Sequence, residues 1–259
     1  MSKTANAWIN LIFLAITLAV NALGAAGLIN GLTQGEISDM YLTLITPAPS
    51  TFRIWSVIYG LLVISIIVML VNKDEYYHVA VEEISGLFRL SCLLNIAWMI
   101  SFSFVLIEIS SLIILAFAIT LALICSKLLA IQEGRRWLLP LSFGLYTGWL
   151  LIASVINIAA MLVKLEWDRF GIADDYWGVI MLIAAIVLLI VIILRNRNAA
   201  LPLPIAWAYF GIYSFLKSPN GFNGEYGLLQ TVAFVGMAVS IITAVILFFR
   251  NRRSILPDF

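Results

Sequence analysis

Three short rows of aromatic and carboxamide side chains hold most of the chemistry this sequence can offer. Phe52, Trp55 and Tyr59 recur at i, i+3 and i+7, directly behind two prolines, Pro47 and Pro49. Asn95, Trp98 and Phe102 repeat that spacing, and Tyr146, Trp149, Ala153 and Asn157 extend it by one further turn. Side chains at such intervals share one face of a helix. A face of rings offers stacking and apolar area, the means by which a flat hydrophobic ligand is held. The same face packs as readily on a neighbouring helix, and spacing leaves both readings open. A carboxamide in hydrocarbon is costly without a partner, so Asn95 and Asn157 should face the bundle interior, toward a ligand or an interhelical hydrogen bond.

Catalytic constellations are missing from the sequence. No nucleophile–base pair, metal-ligand set or glycine-rich phosphate loop is present, so no enzyme is expected. His78 is the sole histidine and falls in a charged stretch read as a loop, which argues against a histidine-ligated metal or haem and against a core imidazole. Cys92 and Cys125 fall in different apolar runs and read as small buried hydrophobes. No cofactor is expected.

The elements that must carry the three rows are membrane helices. Of 259 residues, 63% are hydrophobic and 11% charged, and the mean hydropathy is +1.06. Soluble domains carry roughly 25% charged residues. Here the charges cluster between apolar runs of the ~20 residues that span a bilayer. Eight such segments are read at 8–31, 50–72, 86–107, 109–131, 137–163, 175–194, 200–217 and 226–249, giving an all-α polytopic membrane bundle. The first, longer than the ~7–15 apolar residues of a signal peptide core, is taken as a spanning helix. A net charge of +1 gives no reason to expect nucleic acid as a partner.

Eight crossings put both termini on one side, and the basic residues choose it. Lys3, Lys73, Lys127, Arg135, Arg136, Arg195, Arg197, Arg250, Arg252 and Arg253 fall on the side of the termini, against Arg53, Lys164, Arg169 and Lys217 opposite. Both termini are therefore expected in the cytoplasm, with the loop 30–50 outside. Gly27 and Gly31, like Gly144 and Gly148, form GxxxG steps that favour close helix packing, within the chain or in a homodimer. The polar region 164–175 is the one seam at which the chain divides, into 1–165 and 166–259.

P-x-P followed by F-x-x-W-x-x-x-Y, then N-x-x-W-x-x-x-F, then Y-x-x-W-x-x-x-A-x-x-x-N resembles the TspO/MBR family, the tryptophan-rich sensory proteins related to the mitochondrial translocator protein. The resemblance covers about residues 8–163. It implies a five-helix bundle, here with three further C-terminal helices. It also implies an interior pocket, between the first, second, third and fifth segments, for porphyrins, sterols or benzodiazepine-like aromatics, with haem or another tetrapyrrole among the ligands.

Carried over by position, the pocket residues are Trp55, Tyr59, Asn95, Trp98, Phe102, Trp149, Ala153 and Asn157. Phe52 and Tyr146 join them from the same stripes, and Asn95, Asn157 and Tyr59 are expected to fix orientation. Phe52 stands three residues before Trp55, where the common short members have four, and Ser50 and Thr51 occupy the place of their usual tryptophan. Arg53 reads either as a side chain reaching the outer interface or as a partner for a ligand carboxylate. Some relatives are thought to degrade porphyrin in light, so a ligand-assisted reaction stays open. The alternative is a secondary transporter of a small amphipathic molecule, because Pro202, Pro204, Trp207, Gly211 and Tyr213 faintly echo the second segment's start, as an inverted repeat would.

Overall fold

The computed structural model describes residues 3–132 and 137–257, and all its regular elements are helical. In order these are α1 (Lys3–Ala25), α2 (Gln34–Met40), a 3-10 turn (Pro49–Arg53) running into α3 (Ile54–Val71), α4 (Glu75–Ser103), α5 (Ile107–Ala130) and α6 (Leu138–Lys164). A second 3-10 turn (Arg169–Gly171) precedes α7 (Asp174–Asn196), α8 (Pro202–Lys217) and α9 (Gly227–Arg250). Among the described residues, 7 helices are long and apolar enough to cross a membrane: α1, α3 with its 3-10 turn, α4, α5, α6, α7 and α9. The eighth expected span exists as α8, but its 16 residues reach about 24 Å, short of the ~30 Å hydrocarbon core. A helix satisfies its own backbone, which is what lipid demands, and the outward faces are apolar: Ile12, Ile16, Leu112, Ile119, Val191 and Leu194 are exposed. The chain is thus an integral, multi-pass membrane protein.

Local chemistry sets the helix ends. Asp74 caps α4, its carboxylate accepting from the Tyr76 N–H at 3.0 Å. From there α4 runs continuously, so residues 75–85 are helix and His78 sits in its first turns, not in a loop. The hydropathy pattern ended at 86 because this stretch is charged on one side, while Tyr76, Tyr77, Ala80, Val81 and Ile84 on the other are buried. Pro49 opens the 3-10 turn and Pro202 opens α8, both positions that need no N–H.

The two GxxxG steps have different fates. Gly27 and Gly31 lie beyond the end of α1 with φ of +70° and +75°, so they turn the chain instead of packing a helix. Gly144 and Gly148 are true contact points. A Cβ at Gly148 would overlap the Leu201 carbonyl oxygen, and one at Gly144 the Asn198 amide, so bare backbone lets the start of α8 lie against α6. On its other side α8 meets the start of α3. The Trp207 indole N–H donates to the Thr51 carbonyl at 2.8 Å, and the Ala48 N–H donates to the Gly211 carbonyl at 3.1 Å. The α4–α5 hairpin turns at 104–106, and just past it Glu108 pairs with Lys164 at 2.7 Å. Of the basic residues used for orientation, Arg135 and Arg136 lie outside the described residues, as does the side chain of Lys3.

Candidate functional site

All three stripes turn inward, and they converge. Trp55 is the hub. It stacks on Tyr59 one turn below (centroids 5.0 Å apart, planes at 22°), and it meets Trp149 and Tyr146 edge to face, each at 6.0 Å. Trp98 approaches it at 6.4 Å and is itself stacked on Phe102 at 5.4 Å. Phe52 stands perpendicular to Trp149 at 6.1 Å. Offset and edge-to-face pairs such as these hold one another in place.

Beside this cluster lies a partly open cavity of about 70 Å³. Its walls are Phe52 from the 3-10 turn, Trp55 from the start of α3, Trp98 and Phe102 from α4, Ile107 and Ile114 from α5, and Trp149, Ala153, Ile156, Asn157 and Ala160 from α6. Helix α2 and the residue after it close one side with Gln34, Ile37, Ser38 and Tyr41. The sequence expected a wall from the first segment and none from the fourth; the structure has the reverse. Helix α1 packs behind α4, while α5 lies between α4 and α6 and supplies the two isoleucines.

Seven of the ten singled-out residues border this space: Phe52, Trp55, Trp98, Phe102, Trp149, Ala153 and Asn157. The other three, Tyr59, Asn95 and Tyr146, are absent from its walls and form a hydrogen-bonded knot. The Asn95 amide donates to Tyr146 Oη at 2.9 Å and to Tyr59 Oη at 3.2 Å, and its oxygen accepts from Asn21 Nδ2. Tyr59 in turn donates to Asn21 Oδ1 at 2.8 Å. Asn21 completes the knot, and sequence reasoning passed over it. The cost of a carboxamide in a 20-residue apolar run, applied to Asn95 and Asn157, applies equally to Asn21.

Asn157, on the cavity wall, also has its bonds committed. Nδ2 donates to Ser111 Oγ at 2.7 Å and Ser110 Oγ at 3.1 Å, and Oδ1 accepts from the Trp98 indole at 3.3 Å. It joins α4, α5 and α6 in one bracket. Trp149 is the contrast: 1% exposed, its Nε1 is buried with no hydrogen-bond partner among the described residues. A buried donor without a partner is costly, and an acceptor brought within its reach would relieve it. Arg53 is exposed and does not border the cavity.

Helix α2 has its own device. Thr33 and Glu36 form a reciprocal capping box: the Thr33 N–H donates to Glu36 Oε2 at 2.7 Å, and the Glu36 N–H donates back to Thr33 Oγ1 at 3.3 Å. The Thr33 backbone N–H, and then its hydroxyl, hold the Glu36 carboxyl below the usual carboxylate range. Among the described residues no group of three or more His, Cys, Asp or Glu could hold a metal ion.

A helical membrane protein with an aromatic-walled cavity beneath a short capping helix is the class that fold and site define. Within that class, the TSPO-like protein family matches this chain over residues 7–249, and the chain belongs to it. The match runs through α7, α8 and most of α9, so the C-terminal helices fall within the matched span. No curated protein and no solved structure matches the chain.

Proposed function

We propose that the protein binds a flat, largely apolar ligand, of tetrapyrrole, sterol or similar shape, in the cavity beneath α2, for sensing or transport of that ligand. The observation that carries this reading is the convergence of seven stripe residues from α3, α4 and α6, with the 3-10 turn, on one space. Rings on several sides supply area and stacking, and affinity then needs few polar groups. Trp149 Nε1 is the polar anchor we assign, since Asn95 and Tyr59 already serve each other and Asn157 serves Ser110, Ser111 and Trp98. Apart from tyrosine hydroxyls and indole N–H groups, the buried polar side chains among the described residues are Asn, Ser or Thr, with no acid to couple a proton, which favours binding over gradient-driven transport.

We read residues 1–165 as the TspO-type bundle and 166–259 as its extension. In this reading α8 is a short eighth crossing, both termini are cytoplasmic and α2 lies outside. The test of binding is a tryptophan-quenching titration with protoporphyrin on the purified protein. Saturable quenching is expected, weakened about tenfold or more by Trp149→Ala, which removes one wall, with the variant still monodisperse. Equal titration curves for both proteins would contradict the reading.

A further inference from the structure

A second, partly open cavity, of about 200 Å³, lies on the other side of the α6 C-terminal half. The first cavity touches α6 at Ile156, Asn157 and Ala160; this one touches it at Ala159, Leu162 and Val163, so the two spaces flank one helix. They also flank one connection, since Tyr41 borders the first and Leu42–Ile45 the second. The remaining walls come from beyond α6. Trp167 and Trp177 meet edge to face at 4.8 Å, and Phe222 and Tyr226 of the α8–α9 connection stand at 5.6 Å.

One cation borders these rings. Arg169 Nη2 pairs with Asp174 Oδ1 at 2.8 Å, and both residues line the cavity. Its Nε is buried and has no hydrogen-bond partner among the described residues. Arg169 and Phe170 are consecutive non-glycine residues with φ of +57° and +54°, a turn that L side chains rarely adopt. A guanidinium with an unused buried N–H, set among aromatic walls, matches a planar carboxylate on an apolar body: the rings bury the body, and the fork takes the anion through charge-assisted hydrogen bonds.

We propose that this cavity is a second ligand site, separate from the one beneath α2, for a small flat apolar molecule bearing one carboxylate, with Arg169 as its anchor. Asp174 is the internal carboxylate that holds the guanidinium until a ligand arrives. An anionic lipid head group would offer the same charge from a different source.

Calorimetric titration of the full chain in phosphatidylcholine nanodiscs, with 2-naphthoate and its neutral analogue 2-naphthamide, tests this. The wild type should prefer the acid by about tenfold. Arg169→Gln should abolish that preference, whereas Asp174→Asn, which breaks the same ion pair but frees the guanidinium, should keep or tighten acid binding. Trp149→Ala, in the other cavity, should leave it unchanged. Equal affinity for acid and amide, or equal loss in Arg169→Gln and Asp174→Asn, would reduce the pair to a structural contact and overturn the proposal. Repeating the titration in discs containing phosphatidylglycerol separates the sources: unchanged naphthoate affinity supports a soluble acid, and its loss gives the site to a lipid head group and overturns the small-acid assignment.

Discussion

The indole of Trp55 meets the indole of Trp149 almost at right angles, with planes at 84° and ring centroids 6.0 Å apart. Both rings border the cavity, so the contact that joins α3 to α6 also forms its wall. Trp149, one of the wall residues, carries a buried N–H with no hydrogen-bond partner among the described residues. Trp149→Phe keeps one aromatic ring and removes the donor together with the rest of the indole. Both an isoquinoline carboxamide and isoquinoline-type ligands lacking the carbonyl lose the contact of the missing ring, and the carboxamide should weaken about fivefold more, the worth of one hydrogen bond of about 1 kcal/mol. Parallel titrations of the two ligands check this, and an equal loss for both would mean that the ring, and not its N–H, carries the effect.

Asn95 bonds to three residues on three other helices, Asn21, Tyr59 and Tyr146. Asn95→Ala leaves each of them one partner short in the buried interior. The fold should lose about 1–3 kcal/mol, since interhelical bonds in membranes are worth less singly than a buried orphan costs. A lowered thermal midpoint in detergent, with ligand affinity nearly intact, is the expected pattern. Lost affinity at unchanged stability would place Asn95 in contact with ligand.

Gly211 accommodates the Thr51 side chain so closely that a Cβ would overlap its hydroxyl. Gly211→Ala should push α8 away from the start of α3 and destabilise by about 1–3 kcal/mol. Thr51→Ala in the same chain should recover part of the loss. A double-mutant cycle of thermal midpoints measures that coupling, and strict additivity would show that the two sites do not touch.

The capping box makes α2 sensitive to acid. Because the Glu36 carboxyl is held below its usual range in the folded state, its contribution is full above the ordinary carboxylate pKa and is lost as pH falls through the depressed one. Hydrogen exchange at the Thr33 and Glu36 amides, corrected for intrinsic rates, should show constant protection from about pH 7 to about pH 5 and a fall at lower pH. Glu36→Ala should show the low-pH behaviour throughout. Protection independent of pH would detach the box from the stability of α2.

Much of this arrangement is legible in the letters because two periods govern it. Apolar runs near 20 residues mark the spans, and rings at i, i+3 and i+7 mark their inward faces; Phe52, Trp98 and Trp149 all border the cavity. What a hydropathy pattern passes over is helix that does not cross lipid. Helix α2, seven residues long, was announced only by Thr33 and Glu36, and the first turns of α4 only by Asp74 and a buried Tyr76–Ile84 face. Partners distant in sequence are the other gap. Asn157 meets Ser110 and Ser111 46–47 residues away, and Asn21 meets Asn95 across 74, so whether a carboxamide is free for a ligand is settled only by packing. Gly27 and Gly31 fit a packing motif by spacing, yet their positive φ makes them turn residues.

Fluorine NMR of protein labelled with 5-fluorotryptophan reads, ring by ring, whether the inward rings meet ligand. The chain has 8 tryptophans, and Trp8 and Trp137, 55% and 54% exposed, serve as outer references. On adding a neutral isoquinoline carboxamide, the resonances of Trp55, Trp98 and Trp149 should shift together and saturate, with those of Trp8 and Trp137 unmoved. Shifts confined to Trp8 and Trp137, with the three inner rings silent, would contradict binding at the inward rings.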